Sequence, residues 1–217
     1  MTEETNEDVV SLLPFEDEDF ADLLELMRLT WYDDLDVEDG VAARIAADEL
    51  IPYLAERTFS RLAWRTHDGS DRELLGAVLA RHGEAETAQR AIWEGRLAEL
   101  EDGIRADLGD GALAGIYRQE MDAKADMLAE RDMPDDDCLI LLAVSPQAKG
   151  LGLGRRLFES GTGYLHEVGA PTAHLITDTT CDWPFYEHLG LSRLAERSNP
   201  GAVAPAPSTF FLYGKRL

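Results

Sequence analysis

Lys149-Gly150-Leu151-Gly152-Leu153-Gly154-Arg155 sets three glycines at alternate positions between two cations. Glycines let backbone amides come close to an anion, and a helix starting at that point adds a partial positive charge. The segment is read as a phosphate cradle. Charge distribution agrees. The 217-residue chain carries a net charge of −23, yet Cys138 to Phe158 holds no acid and contains Lys149, Arg155 and Arg156. A buried strand explains the missing acids only as far as Val144, not the three cations beyond it. Metal chemistry is not expected. The histidines (67, 82, 166, 174 and 188) and the two cysteines, Cys138 and Cys181, form no ligand spacing.

A loop of this kind needs a strand leading in and a helix leading out. Cys138 to Val144 is seven apolar residues in a row between an aspartate run and Ser-Pro, which predicts a strand buried on both faces. Leu157 to Val168 reads as the helix. Upstream, residues 1 to 11 read as a polar tail or lead-in strand, and Phe20, Leu23, Leu24, Met27 and Trp31 recur at helical spacing. Val41 to Glu56 is a second helix, which Pro52 is expected to kink or divide. Phe59 to Arg65 and Leu74 to Ala80 form a hairpin turning at Asp68-Gly69.

Downstream, Thr172 to Asp178 is a strand, Pro184 to Leu189 a short helix, and Leu191 to Arg197 and Phe210 to Leu217 the last strands. Between these two, Asn199 to Ser208 is a surface loop. Glu84 to Arg131 differs in kind. Trp93, Leu97, Leu100, Ile104 and Leu108, then Leu113, Tyr117, Met121, Ala125 and Leu128, trace two stripes separated by Gly109-Asp110-Gly111. They predict an antiparallel helical hairpin.

Three loop types compete for the glycines. A P-loop needs Gly-Lys-Ser/Thr, which does not occur. A Rossmann turn needs GxGxxG directly at the strand end, but five residues intervene and the spacing is GxGxG. The third resembles the cofactor motif of the GNAT N-acetyltransferase superfamily. Val144, Pro146, Lys149, Gly150, Gly152, Gly154 and Leu157 match that motif in order, with lysine where glutamine or arginine is usual. Phe185-Tyr186-Glu187-His188-Leu189-Gly190-Leu191 resembles the superfamily's second motif. The two motifs span residues 138 to 191, and the helical hairpin departs from the usual pattern.

The resemblance implies an α/β (α+β) fold with a mixed, mostly antiparallel central sheet flanked by helices. Residues 1–217 would form a single domain, with the hairpin inserted at about 84–132 and a cofactor-binding core at about 138–191. It implies transfer of an acetyl group from acetyl-CoA to a primary amine in a ternary complex. Acetyl-CoA would be held by Leu142, Ala143, Val144, Lys149, Gly150, Leu151, Gly152, Leu153, Gly154 and Arg155. An amide of Leu142 to Val144 would polarise the thioester carbonyl. The strands before and after the cradle would run parallel and splay. Tyr186 would be the general acid toward the departing thiolate, since a phenol near pKa 10 can donate to it.

The general base stays open among Asp135, Asp136, Asp137, Asp178 and a water chain. His174 reads as a core residue and Cys181 as a packing residue. The alternative to catalysis is a non-catalytic acetyl-CoA-binding regulatory module. The helical insertion would wall the acceptor pocket or bury its stripe on a second subunit, and its attachment to strands of the cleft favours the wall.

Composition narrows partners. So acidic a chain repels phosphate backbones, which argues against nucleic acid and for a cationic small molecule or protein amine as acceptor. No apolar run reaches the roughly 20 residues of a membrane span, and the acidic start is unlike a secretory signal. With two thiols, this reads as a cytoplasmic protein away from membranes. The resemblance admits a homodimer.

Overall fold

A computed structural model describes residues 9–33, 38–67, 71–108, 116–200, 202 and 206–217. The expected turns at Asp68-Gly69 and Gly109-Asp110-Gly111, and most of the 1–11 lead-in, lie outside these residues. So do Leu113 and the Tyr117 side chain.

Seven strands form one sheet: β1 (Val9–Leu13), β2 (Phe59–His67), β3 (Asp71–His82), β4 (Asp137–Val144), β5 (Thr172–Asp178), β6 (Ser192–Ser198) and β7 (Thr209–Arg216). Their order is β1-β2-β3-β4-β5-β7-β6, and every neighbouring pair is antiparallel except β4–β5. The mixed, mostly antiparallel sheet is as expected. Among the described residues no helix is long and apolar enough to cross a membrane.

Helices cover both faces. On one face lie α1 (Phe20–Met27), which continues as a π-helical segment Arg28–Tyr32, α2 (Asp39–Glu56) and α3 (Thr87–Leu108). Leu23, Met27, Leu50, Leu54 and Trp93 pack there on Leu62, Leu79 and Leu141. Pro52 does not divide α2. It sits in the last turn, where the one backbone bond it removes leaves little helix to disturb. The other face carries α5 (Leu153–Glu167), whose Leu157, Phe158 and Leu165 meet Val78, Leu139 and Leu175.

Two helices fill the segment between β3 and β4, as expected, and each packs chiefly on another element. α3 runs along α2, while α4 (Ile116–Ala129) lies against β6 and β7. Burial gives the reason. Trp93 and Ile104 are buried in α3; in α4, Ala123, Lys124, Met127 and Leu128 are buried and Ala125 is exposed, a face rotated from the expected stripe. That face covers Phe210 and Leu212, which α1 to α3 leave bare.

The feature that shapes the site is a break in pairing. Leu79 pairs with Leu141 and Ala80 with Leu139, so Ile140 is an extra residue, a β-bulge. A bulge bends its strand. The β4–β5 ladder holds a single pair, Cys138↔His174, and beyond it the strands splay as expected.

Candidate functional site

Ser145 Oγ accepts a hydrogen bond from the Gln147 amide, 3.3 Å, and Pro146 opens a short 3-10 turn to Ala148. The chain then reverses through Gly150 (φ 88°) and Gly152 (φ 67°), a conformation that side chains strain. The first bond of α5 runs from the Arg156 amide to the Gly152 carbonyl, 3.2 Å. The amides of Leu153, Gly154 and Arg155 are thereby left without intrahelical partners at the positive end of the helix dipole. A cleft of about 620 Å³ opens in front of them, lined by Leu142, Val144, Lys149, Gly150, Gly152, Leu153, Gly154, Arg155, Phe185 and Tyr186 among others.

Most of the expected cofactor residues meet in this cleft, with two corrections. Leu151 is 54% exposed and borders a separate small cavity with Val10, Arg65 and Arg156; its amide bonds the Ala148 carbonyl. Alternating leucines across a turn cannot all face one ligand. Ala143 is the second. The Ser145 amide donates to Leu75 of β3, and amides two residues apart in a strand point the same way, so that of Ala143 also faces β3. Leu142 and Val144 direct theirs to the open edge toward β5. Arg156, like Leu151, lies outside the cleft; Lys149 and Arg155 line it.

Tyr186 lies in α6 (Pro184–His188), its ring against Phe185 and Tyr213 at centroid distances of 5.5 and 5.9 Å. Burial, then the Cys181 thiol and the carboxylates of Glu120, Asp182 and Asp178, push its hydroxyl above the ordinary phenol value.

A second cavity, of about 500 Å³, meets the cleft at Thr30, Trp31, Leu142, Thr180, Cys181 and Tyr186. Its remaining wall includes Tyr32, Glu49 and Tyr53 from the first two helical segments, Glu120 from α4, Ile140 and Leu141 from β4, and Ile176 to Asp178 from β5. The π-helical segment is one cause. It widens the turn that carries Trp31 and Tyr32 toward the gap. Sequence reasoning missed Tyr32, Glu49, Tyr53 and Glu120. One signal was available: Glu120 and Lys124, one turn apart, interrupt an otherwise apolar helix face.

Glu49 accepts from the hydroxyls of Tyr32 and Tyr53, the latter at 3.1 Å. Burial holds its carboxyl above the usual range; the two tyrosine bonds lower it in part, and Asp178 and Asp48 raise it further. Glu120 is raised well above the usual range by burial and by Glu49 and Asp178, against the opposing pull of Lys124. Asp178 Oδ1 accepts from the Thr180 amide and hydroxyl, both 2.6 Å. The Cys181 thiol is pushed up to about 12 by burial, then by Asp178.

Of the carboxylates considered as bases, Asp178 alone lines this cavity. Asp137 pairs with His82 at 2.6 Å. Asp135 bonds Lys124 (2.7 Å), Arg81 (2.9 Å) and His174 (3.0 Å), and it is held far below the usual carboxylate range: its burial is outweighed by His174, Lys124 and Arg81. His174 is 2% exposed, a core residue as expected. Asp135, Cys138 and His174 could in principle share a metal, their ligand atoms lying within 4.8 Å, but Lys124 and Arg81 already supply positive charge there.

No protein-family model matches the chain. Its sequence matches no curated protein. The fold is shared with solved N-acetyltransferases. The ribosomal-protein-S18-alanine N-acetyltransferase from Escherichia coli aligns over 96% of this chain and 94% of its own, with TM-score 0.54 and 13% identity. A Drosophila melanogaster polyamine N-acetyltransferase, described as catalysing formation of N-acetylagmatine, aligns over 96% and 100%, with TM-score 0.56 and 14% identity. Arabidopsis thaliana Naa50, in complex with the bisubstrate analogue CoA-Ac-MVNAL, aligns over 96% and 99%, with TM-score 0.50 and 14% identity. The likeness establishes the fold: this chain has the architecture that the glycine loop and the Tyr186 segment suggest.

Proposed function

We propose that this protein is an acetyl-CoA-dependent N-acetyltransferase acting on a primary amine by direct transfer in a ternary complex. One observation carries the reading. A cleft ending in free helix amides meets a second, acidic cavity under splayed strands, with Leu142 and Tyr186 on the wall common to both. Two ligands that react with each other need two such chambers with one opening between them.

The cofactor site fits an acyl-CoA. The amides of Leu153 to Arg155, with Lys149 and Arg155, would hold the pyrophosphate, and the gap beside Leu142 and Val144 would admit the pantetheine arm. When bound, acetyl-CoA supplies an activated acyl carbon. The Leu142 or Val144 amide would stabilise charge developing on the carbonyl oxygen.

Asp178 is the proposed base. Asp178 and Leu142 both line the cavity at the gap where the two strands have parted. An amine reaches the site as an ammonium and must lose a proton to become a nucleophile. Asp178 takes that proton and passes it to solvent. The amine nitrogen then bonds the acetyl carbon as the carbon–sulfur bond breaks. Tyr186 donates its proton to the leaving sulfur, and the proton still on nitrogen restores the phenol.

The experiment is acetyl-CoA consumption, read as thiol release, over a panel of monoamines, diamines and peptides. Thiol release that depends on the amine, with acetylated product found by mass spectrometry, is the expected result. Tight CoA binding with no amine-dependent release would leave a regulatory acetyl-CoA-binding module instead.

A further inference from the structure

The second cavity holds more negative charge than acetyl transfer needs. Asp178 suffices to take the proton; Glu49 and Glu120 remain. They come from different helices, α2 and α4, and both line the same space as Asp178. Among the described residues lining it there is no Lys, Arg or His.

The two carboxylates differ in their partners. Glu49 is fixed by the hydroxyls of Tyr32 and Tyr53, so its position is set before any ligand enters. Glu120 is half-buried in the cavity wall and takes no hydrogen bond and no ion pair from any described residue. Its nearest cation, Lys124, is engaged by Asp135 at 2.7 Å. A half-buried carboxylate in a cavity wall with no protein partner leaves its bonds for solvent or a cationic ligand to supply. The surrounding wall is aromatic and aliphatic, including Trp31, Ile140 and Ile176. It suits a hydrocarbon chain between charges.

We propose that the acceptor is a linear aliphatic diamine or longer oligoamine, with its reacting nitrogen at Asp178 and its second ammonium held by Glu49 and Glu120. This rests on reading the cavity as the acceptor site. A monoamine would leave the two glutamates without a cation. A peptide amino terminus would set its polar backbone against the aliphatic side chains of Ile140 and Ile176 and would not supply the second cation.

Two measurements test the proposal separately from catalysis. The first compares 1,4-diaminobutane with butylamine in thiol release from acetyl-CoA. The second titrates each amine calorimetrically into the full chain saturated with CoA, where no transfer occurs. The diamine should have kcat/KM about 30-fold or more above butylamine, the loss expected when one buried charged partner is missing. Its Kd should be lower by a similar factor. Glu120→Gln and, separately, Glu49→Gln should pull that ratio toward one, mainly through KM, with unchanged CoA affinity reporting an intact fold.

Equal use of the two amines, or a ratio that neither variant moves, overturns the diamine assignment while acetyl transfer stands. Diamine binding that Glu120→Gln abolishes, with no thiol release from any amine, supports the cation site and removes the transferase reading instead. No diamine binding at all overturns the assignment.

Discussion

The glycine-loop cleft and the acidic cavity share a wall but are built in opposite ways. The anion-facing end of the cleft is one continuous stretch, Lys149 to Arg155, which offers backbone amides and two cations. The cavity is made of side chains from α2, the segment after α1, α4, β4 and β5, and is acidic. An anion can be bound by amides, which every residue has, so the demand falls on chain geometry and is met by glycines at fixed spacing. A cation needs carboxylates or aromatic faces. Any element can offer these, so they leave no contiguous motif.

If the cleft is held by local geometry, one backbone change should destroy it. Gly152→Glu puts a side chain at φ 67° and a carboxylate at the helix start. CoA affinity should be lost in calorimetric titration while the circular dichroism spectrum is kept. Undiminished affinity in the folded variant would move the phosphate site elsewhere.

Next in size is the wall the two regions share. Tyr186→Phe keeps the ring and removes the proton. Turnover should fall roughly 10²–10⁴-fold, with little change in acetyl-CoA affinity. Near-normal turnover on an acceptor for which chemistry limits the rate would reduce Tyr186 to packing.

A smaller effect separates the cavity by its titration. Glu49 and Glu120 are held above 4.5, the ordinary glutamate value. These two groups bind more protons in the folded than in the unfolded chain between 4.5 and their raised values, so the stability they contribute is lost as pH rises through that window. The groups facing them are Asp48 on α2, Lys124 on α4, Asp178 on β5, and the tyrosines 32 and 53. Glu120→Gln should flatten the slope and raise Tm at neutral pH by a few degrees, with about 1 kcal/mol corresponding to roughly 2–4 °C in a chain of this size. The gain should vanish near pH 4. A Tm difference independent of pH would mean that Glu120 does not titrate in this window.

The smallest effect is a control within the glycine loop. Leu151→Ser changes an exposed side chain outside the cleft. CoA affinity should stay within about twofold, since surface changes of this kind are usually worth under ~0.5 kcal/mol. A larger loss would return Leu151 to the site.

The same contrast decides how much was legible in the sequence. The strand–loop–helix order around Gly150 to Gly154 and the run Cys138 to Val144 carry their own periodicity, and the sheet and its splayed pair follow from them. What escaped depends on tertiary partners. Ala125 fits a helical stripe on spacing alone, yet it is exposed because α4 turns Glu120, Lys124 and Met127 inward instead. Likewise α3 packs chiefly on α2 and α4 on β6 and β7, partners that spacing alone does not name. Leu151 and Ala143 were included because a motif is a string of letters, and a string does not say which way a side chain or an amide points.

The sole rung joining β4 to β5, Cys138↔His174, has a rivet beside it. His174 bonds Asp135, which also grips Arg81 of β3 and Lys124 of α4, and Lys124 Nζ lies 3.9 Å from Cys138 Sγ. Four elements are thus pinned at the apex from which the strands diverge, like the pivot of a pair of shears. The blades bound the cleft and the cavity together. Asp135 lines neither opening, yet it holds the point from which the strands bounding them part.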